Sequence, residues 1–553
     1  LHRARVGFRS LRSRGDGEAD GLKLEVNGVP VFARGAVWAP VDLRAPHSSR
    51  DTVAPILRHV VESGMNMVRV HATGTYESDA FYDLCDELGI LVWQDFMFAN
   101  MDYPEADPSF IEEAEREARD QVQRLGHRPS LAVLCGSSEV AQQVAMLGLD
   151  RGLADGPLYR TVLPAVIGEA GLQTPYVPST PCGPELPFRY DRGVANYFGV
   201  GAYLRPLSDA RLARVRFAGE CLAFSNVPDD EALAQLDTPG GLAVHHPGWK
   251  AGVPRDAGEG WDFDDVRDHY LRLLFEVDPV ALRWSDQDRY LELSRQLTGE
   301  VMAEVLGEWR RAESPCSGAL VLWLKDLLPG AGWGLLDHRG EPKPALRHVR
   351  RVLAPVAVWT TDEGLSGVDV HVANEGPQAL RAVLRVSLYH DYSVPIDQAR
   401  EEIEVPARGS LRRSVAGMVG RFLDASWAYR FGPPPADLIV ANLEDPDGAV
   451  ISQAFRFPAG RPTRPLSADQ LGLEAVLERV DGGRLAARVR SRRFAYGVRV
   501  RMPGLIASDG WFGVEPGAER VISLTAVGDS AGAEAPGTLS ALNLAGRVAI
   551  APL

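Results

Sequence analysis

Basic charge is scarce in this 553-residue sequence, where 59 lysine and arginine residues face 74 acidic residues and give a formal net charge of −15. Only Lys23, Lys250, Lys325 and Lys343 are lysines, a bias that we attribute to coding rather than to chemistry. Binding to a phosphate backbone requires a basic face. The charge balance therefore argues against a nucleic-acid partner and is compatible with a neutral substrate.

Long apolar runs and closely spaced cysteines are also lacking. No apolar stretch reaches the roughly 18 residues that a membrane-spanning helix needs, so we expect no membrane partner. The sequence contains five cysteines, Cys85, Cys135, Cys182, Cys221 and Cys316. They form no CxxC pair, which indicates neither a disulfide framework nor a thiolate zinc site. We expect buried, reduced thiols, no metal site and a cytoplasmic location.

The beginning of the chain has neither an initiating methionine nor a signal-peptide pattern. The segment LHRARVGFRSL is similar to the last strand of a domain, and RSRGDGEADG is typical of a linker or turn. We expect residues 1–21 to be the remnant of a preceding β domain and its linker, in a chain from which an N-terminal part is missing.

Short β-rich apolar runs alternate with amphipathic helical segments between residues 22 and 355. Candidate strands occupy residues 29–38, 65–71, 89–96, 131–137, 174–180, 193–198, 214–220 and 318–324. Helical periodicity marks residues 51–64, 79–88, 110–125 and about 285–312. Strands and helices that alternate in this way over about 330 residues predict an α/β fold of the (β/α)8 TIM-barrel type. Periodicity alone leaves a doubly wound open sheet as the alternative, because residues 174–198 lack a clear intervening helix.

Period-2 alternation replaces this pattern after residue 355, as in GVDVHVANEG and AVLRVSLYHD. The second segment places Leu384, Val386 and Leu388 on one face. The pattern predicts an antiparallel, immunoglobulin-like β-sandwich over residues 356–460. The segment AGRPTRP is typical of a linker, and a hairpin pattern around the turn DGGR predicts a second β-sandwich over residues 464–553.

Two glutamates stand where candidate strands end. Glu139 follows the run LAVLCGSS, and Glu220 ends RVRFAGE. In barrels, catalytic groups lie at the carboxyl ends of strands. Glycoside cleavage needs one carboxylic acid to protonate the leaving oxygen and a second carboxylate to attack or stabilise the anomeric carbon. Either glutamate alone could instead cap a helix or pair with an arginine, so placement by itself leaves both interpretations open.

Five long segments favour the catalytic interpretation of Glu139 and Glu220. In chain order they are LEVNGVPVFARGAVWAP, MNMVRVHATGTYESDAFYDLCDELGILVWQDFMFAN, HRPSLAVLCGSSE, RFAGECLAFSNVP and GALVLWLKDLLPGAGWGLLDHRGEPKPA. Over about residues 1–355 the chain resembles the β-mannosidase-like branch of glycoside hydrolase family 2. The resemblance implies a retaining, exo-acting β-glycosidase without a cofactor, acting on a carbohydrate. Glu220 would be the nucleophile and Glu139 the general acid and then base, with their carboxyl groups about 5 Å apart.

The resemblance also implies supporting roles. Arg69 would brace the nucleophile by a charge-assisted hydrogen bond, and Trp323 would form an apolar floor for the sugar ring. Further candidates for substrate binding are Trp38, Asp42, Asp95, Ser138, Asn196 and Tyr197. For Asp95 the alternative is a salt bridge at the barrel mouth, and for Tyr197 it is packing.

The sequence departs from the family pattern around the two glutamates. Ser138 precedes Glu139 where the family usually has an asparagine that donates to the sugar 2-hydroxyl. Cys221 and Leu222 follow Glu220 in place of Phe-Gly, and Asn196-Tyr197 stand where His-x-Trp is usual. These departures weaken the implied mannoside preference more than the reaction class. The alternatives are a catalytically degenerate carbohydrate-binding barrel and a retaining transglycosylase; the oligomeric state cannot be deduced from the sequence.

Overall fold

The computed structural model describes residues 6–15, 20–45, 48–236, 243–244, 246–480, 484–526 and 536–552. Two compact units divide the chain: residues 1–267 with 308–346, and residues 268–307 with 347–553. Among the described residues, no helix is long and apolar enough to cross a membrane.

The first unit contains a small antiparallel sheet and a large parallel one. The small sheet consists of β1 (Leu11–Ser13), β2 (Leu24–Val26) and β3 (Val29–Pro30). The eight strands of the large sheet are β4 (Ala33–Trp38), β5 (Met67–Val70), β6 (Leu91–Asp95), β7 (Leu131–Cys135), β8 (Tyr176–Val177), β9 (Ala195–Tyr197), β10 (Ala218–Cys221) and β11 (Gly318–Val321). Each of the candidate strands expected from the sequence overlaps one of them, and only β10 extends beyond its candidate, by one residue.

The order of the strands in the large sheet is β8-β7-β6-β5-β4-β11-β10-β9. β4 pairs in parallel with both β5 and β11, so the first strand of the sheet lies beside the last. An antiparallel bridge between Cys182 and Val194 joins the segments that follow β8 and precede β9. This cyclic order is that of a (β/α)8 barrel, and the doubly wound alternative is wrong.

Helices follow most of the barrel strands. The α-helices of the described residues are Arg50–Glu62, Asp79–Leu88, Pro108–Leu125, Val140–Met146, Leu163–Glu169, Asp209–Leu212, Asp230–Leu233, Pro247–Lys250, Phe263–Phe275, Pro279–Ser285, Gln287–Arg310, Pro344–Leu353, Val415–Val419 and Ala468–Leu471. All helical segments expected from periodicity are confirmed. The local signals are clear: a capping box at Ser49 begins one helix, and Gly89 in the left-handed region (φ 71°) ends another.

The second unit contains two pairs of antiparallel sheets. In the first pair, one sheet has β12 (Val356–Asp362), β13 (Val368–Asn374) and β16 (Gly409–Ser414), and the other has β14 (Leu380–His390), β15 (Val394–Val405), β17 (Leu438–Glu444) and β18 (Val450–Arg456). Leu384, Val386 and Leu388 of β14 share a buried core with Val370 and Val372 of β13. A core between two sheets is that of a β-sandwich, as expected.

The second pair of sheets is also a sandwich. One sheet has β19 (Glu474–Val480), β20 (Arg484–Arg490), β22 (Leu505–Ala507) and β24 (Glu519–Ala526), and the other has β21 (Ala495–Arg501), β23 (Phe512–Val514), β25 (Thr538–Ser540) and β26 (Val548–Ala549). β19 and β20 pair as the expected hairpin, whose turn at 481–483 lies outside the described residues. The domain bounds given above, 1–21, 22–355, 356–460 and 464–553, stay predictions.

Candidate active site

Glu220 lies near the carboxyl end of β10 and is 4% exposed. Arg69 Nη1 donates to its Oε1 at 2.9 Å, and His71 Nε2 lies 2.9 Å from the same oxygen. Among the described residues, no group forms a hydrogen bond with Oε2 of Glu220. The carboxylate is therefore held through one oxygen, and the other remains available to a ligand.

The charge state of Glu220 follows from these contacts. Burial by itself would raise the pKa of the carboxyl, but the hydrogen bond from His71 and the positive charge of Arg69 outweigh it and lower the pKa to about 2. Glu220 is consequently an anion at neutral pH. That is the state in which a carboxylate can attack or stabilise an electron-poor carbon.

Arg69 lies in β5, fully buried between two carboxylates. Besides its bond to Glu220, it donates to Asp95 from Nε at 3.2 Å and from Nη2 at 2.8 Å. Asp95 also accepts from Trp93 Nε1 at 2.7 Å and from the backbone N–H of Ala72 at 3.1 Å. Both oxygens of Asp95 are thus engaged by protein donors. The salt bridge considered above as the alternative for Asp95 is the arrangement that is found, and its oxygens are not placed as acceptors for sugar hydroxyls.

Glu139 stands between β7 and the helix Val140–Met146, in the left-handed backbone region (φ 61°). A non-glycine residue is uncommon there, and such residues cluster at functional sites. Its Oε1 accepts from Asn196 Nδ2 at 2.9 Å and from Gln142 Nε2 at 3.1 Å. Burial first, and the negative charge of Glu220 second, raise the pKa of Glu139, while the bond from Asn196 opposes the increase.

The pKa values of the two carboxyl groups are therefore shifted in opposite directions. Glu220 is held as an anion by Arg69 and His71, and that anion in turn favours the protonated form of Glu139. Two acids whose surroundings separate their pKa values can act as a base or nucleophile and as an acid at the same pH. Both glutamates were selected from the sequence because each follows or ends a candidate strand, and their pKa values are separated in this way.

His71 is a site residue that the sequence analysis missed. It follows β5 directly, and its side chain contacts Glu220 and lies 3.0 Å from Ser138 Oγ. Its ring also meets the indole of Trp323 edge-on, with centroids 5.6 Å apart. A signal was present, because residues two apart on a strand share a face, so His71 had to accompany Arg69 toward the nucleophile.

The structure brings Ser138, Asn196 and Trp323 to this group. Ser138 is completely buried against His71, and Asn196 binds Glu139. Trp323 follows β11 and is only partly buried beside His71. Asn196 thus contacts Glu139 directly, whereas Ser138 and Trp323 contact His71. Their roles toward a substrate stay predictions.

Among the described residues, three other candidates form no hydrogen bond with Glu139 or Glu220: Trp38, Asp42 and Tyr197. Trp38 donates from Nε1 to Glu77 at 2.8 Å and is buried. Asp42 is exposed and accepts from the backbone N–H of its neighbour Arg44.

Tyr197 is fully buried, donates its hydroxyl to Asp209 at 2.8 Å and packs against Trp309. The expected alternative for Tyr197, packing, fits these contacts.

Among the described residues, one group of three side chains could hold a metal ion. It consists of Glu363, Asp369 and His371, on and beside strands of the first sandwich. Thr361 bonds to Glu363 and His371, and Arg412 donates to Asp369 at 2.6 Å. Neighbouring side chains thus already engage the trio.

The chain has sequence relatives among known proteins. No family model matches it. β-Mannosidase B of Aspergillus niger is 30% identical over 388 residues, which are 66% of this chain and 44% of that protein. β-Mannosidase B of Aspergillus terreus is 28% identical over 440 residues, 75% of this chain and 47% of that protein. Both relatives are β-mannosidases, which agrees with the resemblance of this chain to the β-mannosidase-like branch of glycoside hydrolase family 2. The chain spans about half the length of the curated relatives it matches.

Solved structures show the same fold. The β-D-mannosidase from Dictyoglomus thermophilum superposes with a TM-score of 0.81 at 22% identity, covering 98% of this chain and 64% of that one. The exo-chitosanase from Amycolatopsis orientalis superposes with a TM-score of 0.70 at 16% identity, covering 99% of this chain and 67% of that one. The barrel and the sandwiches of this chain therefore have the fold of these two structures.

Proposed function

We propose that this chain carries the catalytic centre of a retaining, exo-acting β-glycosidase with a preference for β-mannosides. The observation that carries the proposal is the pair of buried glutamates whose pKa values are shifted apart, Glu220 downward and Glu139 upward. Retaining glycosidases need this division between an ionised nucleophile and a protonated acid. The names of the fungal relatives support the choice of mannosides.

The first step forms a covalent intermediate. Oε2 of Glu220, which no described residue binds, attacks the anomeric carbon as the glycosidic bond breaks. The carboxylic acid of Glu139 gives its proton to the departing oxygen, so the leaving group departs as a neutral alcohol. The product of this step is a glycosyl ester of Glu220 and an ionised Glu139.

In the second step Glu139 acts as a base, because the charge of Glu220 that raised its pKa is no longer present. Ester formation removes the negative charge of Glu220, which is one of the two causes that raise the pKa of Glu139. The pKa of Glu139 falls as a result, and its carboxylate can take a proton from the attacking water. Water then breaks the ester, and Glu220 returns to the anion that Arg69 and His71 hold.

The proposal does not depend on a cofactor, because proton transfer and nucleophilic attack are both supplied by carboxyl groups. A transglycosylase would use the same first step and differ in the acceptor that breaks the ester. We further propose a cytoplasmic location, since all five cysteines are buried free thiols.

A panel of 4-nitrophenyl β-glycosides tests the proposal. Mannoside, glucoside, galactoside and N-acetylglucosaminide are compared with the unaltered protein, with E220Q and with E308Q as the matched control. Glu308 is a largely buried carboxylate whose partners are Arg211 and Arg311. We expect nitrophenol release, fastest from the mannoside, that E220Q abolishes and E308Q retains. Equal turnover in E220Q would contradict the assignment of Glu220.

Added sugar acceptors distinguish the alternatives in the same assay. Disaccharide products would favour the transglycosylase. Sugar binding in calorimetry without release from any of the four glycosides would favour the degenerate, binding-only barrel.

A further inference from the structure

We propose that His71 is a positioning residue that holds Glu220 through a ring proton on Nε2 and at the same time turns the hydroxyl proton of Ser138 away from the ring. The inference rests on the proposed function of Glu139 and Glu220. It assigns a task to His71, which lies at the end of β5 beside both the nucleophile and the residue before the acid.

The Nδ1 side of the ring fixes the tautomer. The backbone N–H of Thr73 donates to Nδ1 of His71 at 3.2 Å, and the Thr73 hydroxyl lies 2.7 Å from the same atom. A backbone N–H can only donate. Nδ1 must therefore present its lone pair, and the ring proton resides on Nε2.

The Nε2 side agrees with this assignment. Nε2 lies 2.9 Å from Oε1 of Glu220 and 3.0 Å from Oγ of Ser138. An ionised carboxylate can only accept, so the Nε2 proton satisfies it. The opposite tautomer would place a bare nitrogen lone pair against a buried anion, which is electrostatically unfavourable.

The position of that proton determines the direction of the serine hydroxyl. Oγ of Ser138 can only accept from His71, because Nε2 carries the hydrogen and offers no lone pair. The backbone of Ser138 is fixed by bridges to Ala99 and Thr180, and its side chain is completely buried against His71. The hydroxyl hydrogen cannot bond to His71 and therefore points away from the ring.

Other charges surround the same carboxylate. Arg69 donates to the same oxygen of Glu220 as His71 does, and Asp95 neutralises Arg69 from its other side. Glu139 also interacts electrostatically with His71. Loss of the His71 bond should therefore weaken the preference of Glu220 for its ionised form without abolishing it.

Two variants of His71 test whether the residue acts as a hydrogen-bond donor or only by its volume. In H71Q the side-chain amide can still donate near the position of Nε2, whereas H71L cannot donate. The loss of one hydrogen bond to a charged group corresponds to an upward shift of the acid limb of kcat/KM by about one to two pH units in H71L. We expect H71Q to restore most of the shift. S138A, which leaves the bond between His71 and Glu220 in place, should not move the acid limb.

A second measurement does not require turnover. Nitrogen-15 spectra of the histidine rings, with the His71 signals identified by their absence from H71Q, report the tautomer directly. We expect the ring proton on Nε2, with Nδ1 unprotonated, and a change of the Nε2 signal in E220Q and in S138A.

The outcomes are distinguishable. A protein without glycosidase activity would contradict the proposed function, while the ring spectra would still decide the role of His71. A ring protonated at Nδ1, or an Nε2 signal that E220Q leaves unchanged, would overturn the inference, as would equal acid limbs in H71L and the unaltered enzyme. If H71L does not fold, H71Q and the spectra decide.

Discussion

Replacing Arg69 with methionine removes the cation that lies between two buried carboxylates, Asp95 and Glu220. Methionine has a similar length but cannot donate a hydrogen bond. Asp95 would keep its bonds from Trp93 and Ala72, and Glu220 would keep the bond from His71. Breaking a buried ion pair by removing one partner costs about 3–5 kcal/mol, because a charge stays buried without compensation. We expect a loss of this size in R69M at pH 7.

The loss should depend on pH in a defined direction. In the unaltered protein the pKa of Glu220 is lowered to about 2, against about 4.3 in an unfolded chain. A lowered carboxyl pKa contributes stability above pH of about 4.3 that is lost as the pH falls toward 2, and the difference corresponds to about 3 kcal/mol. Without Arg69 the pKa of Glu220 rises. Glu220 then protonates at higher pH, and the stability gap between R69M and the unaltered protein narrows on acidification.

Thermal midpoints by calorimetry at pH 7 and pH 4 measure this gap. Midpoints are preferred to fitted free energies because a chain of several domains need not unfold in one transition. R267M is the matched control, since Arg267 is also fully buried and pairs with Asp264 at 2.8 Å. We expect both variants to be destabilised, R69M to lose turnover, and R267M to retain the acid limb of kcat/KM. An R69M midpoint equal to that of the unaltered protein at pH 7, or a gap that widens at pH 4, would refute the reasoning.

Further predictions concern the acid and its surroundings. In E139A, hydrolysis of β-glycosides with poor leaving groups should fall by about 10²–10⁴-fold, activated aryl glycosides should suffer less, and azide should restore turnover; equal losses for both substrates would argue against an acid role. N196A removes the bond that lowers the pKa of Glu139, so the alkaline limb of kcat/KM should move up by about one unit; a downward shift would contradict this sign. Y197F loses the hydroxyl bond to Asp209 and should lose about 1 kcal/mol of stability with kcat/KM nearly unchanged, whereas a large rise in KM would identify Tyr197 as a subsite residue.

Much of the fold was predictable because barrel strands are buried on both faces and appear as short apolar runs. β4, β5, β6 and β7 follow such runs closely. β8 and β9 are only two and three residues long, and no helix lies between them in residues 178–194. Periodicity needs a longer window, so the sequence could not exclude an open sheet. The parallel pairing of β4 with β11 in the structure excludes the open sheet.

The site was predictable where position along a strand determines direction. Glu139, Glu220 and Arg69 could be assigned to one mouth, because side chains at the carboxyl ends of barrel strands meet there. The partners of each group could not be assigned. Asp95 is buried and accepts hydrogen bonds from Arg69. The face that His71 shares with Arg69 indicates its direction but not that it binds both Glu220 and Ser138.

Covalent trapping tests the central claim, that Glu220 is the nucleophile of a retaining glycosidase, most directly. The protein is incubated with a 2,4-dinitrophenyl 2-deoxy-2-fluoro-β-mannoside, whose fluorine slows hydrolysis of the intermediate, and the labelled peptide is identified by mass spectrometry. The account predicts one fluoroglycosyl group on Glu220 and none in E220Q. Label on a different residue, or turnover of β-mannosides without any covalent adduct and with an inverted product, would contradict it.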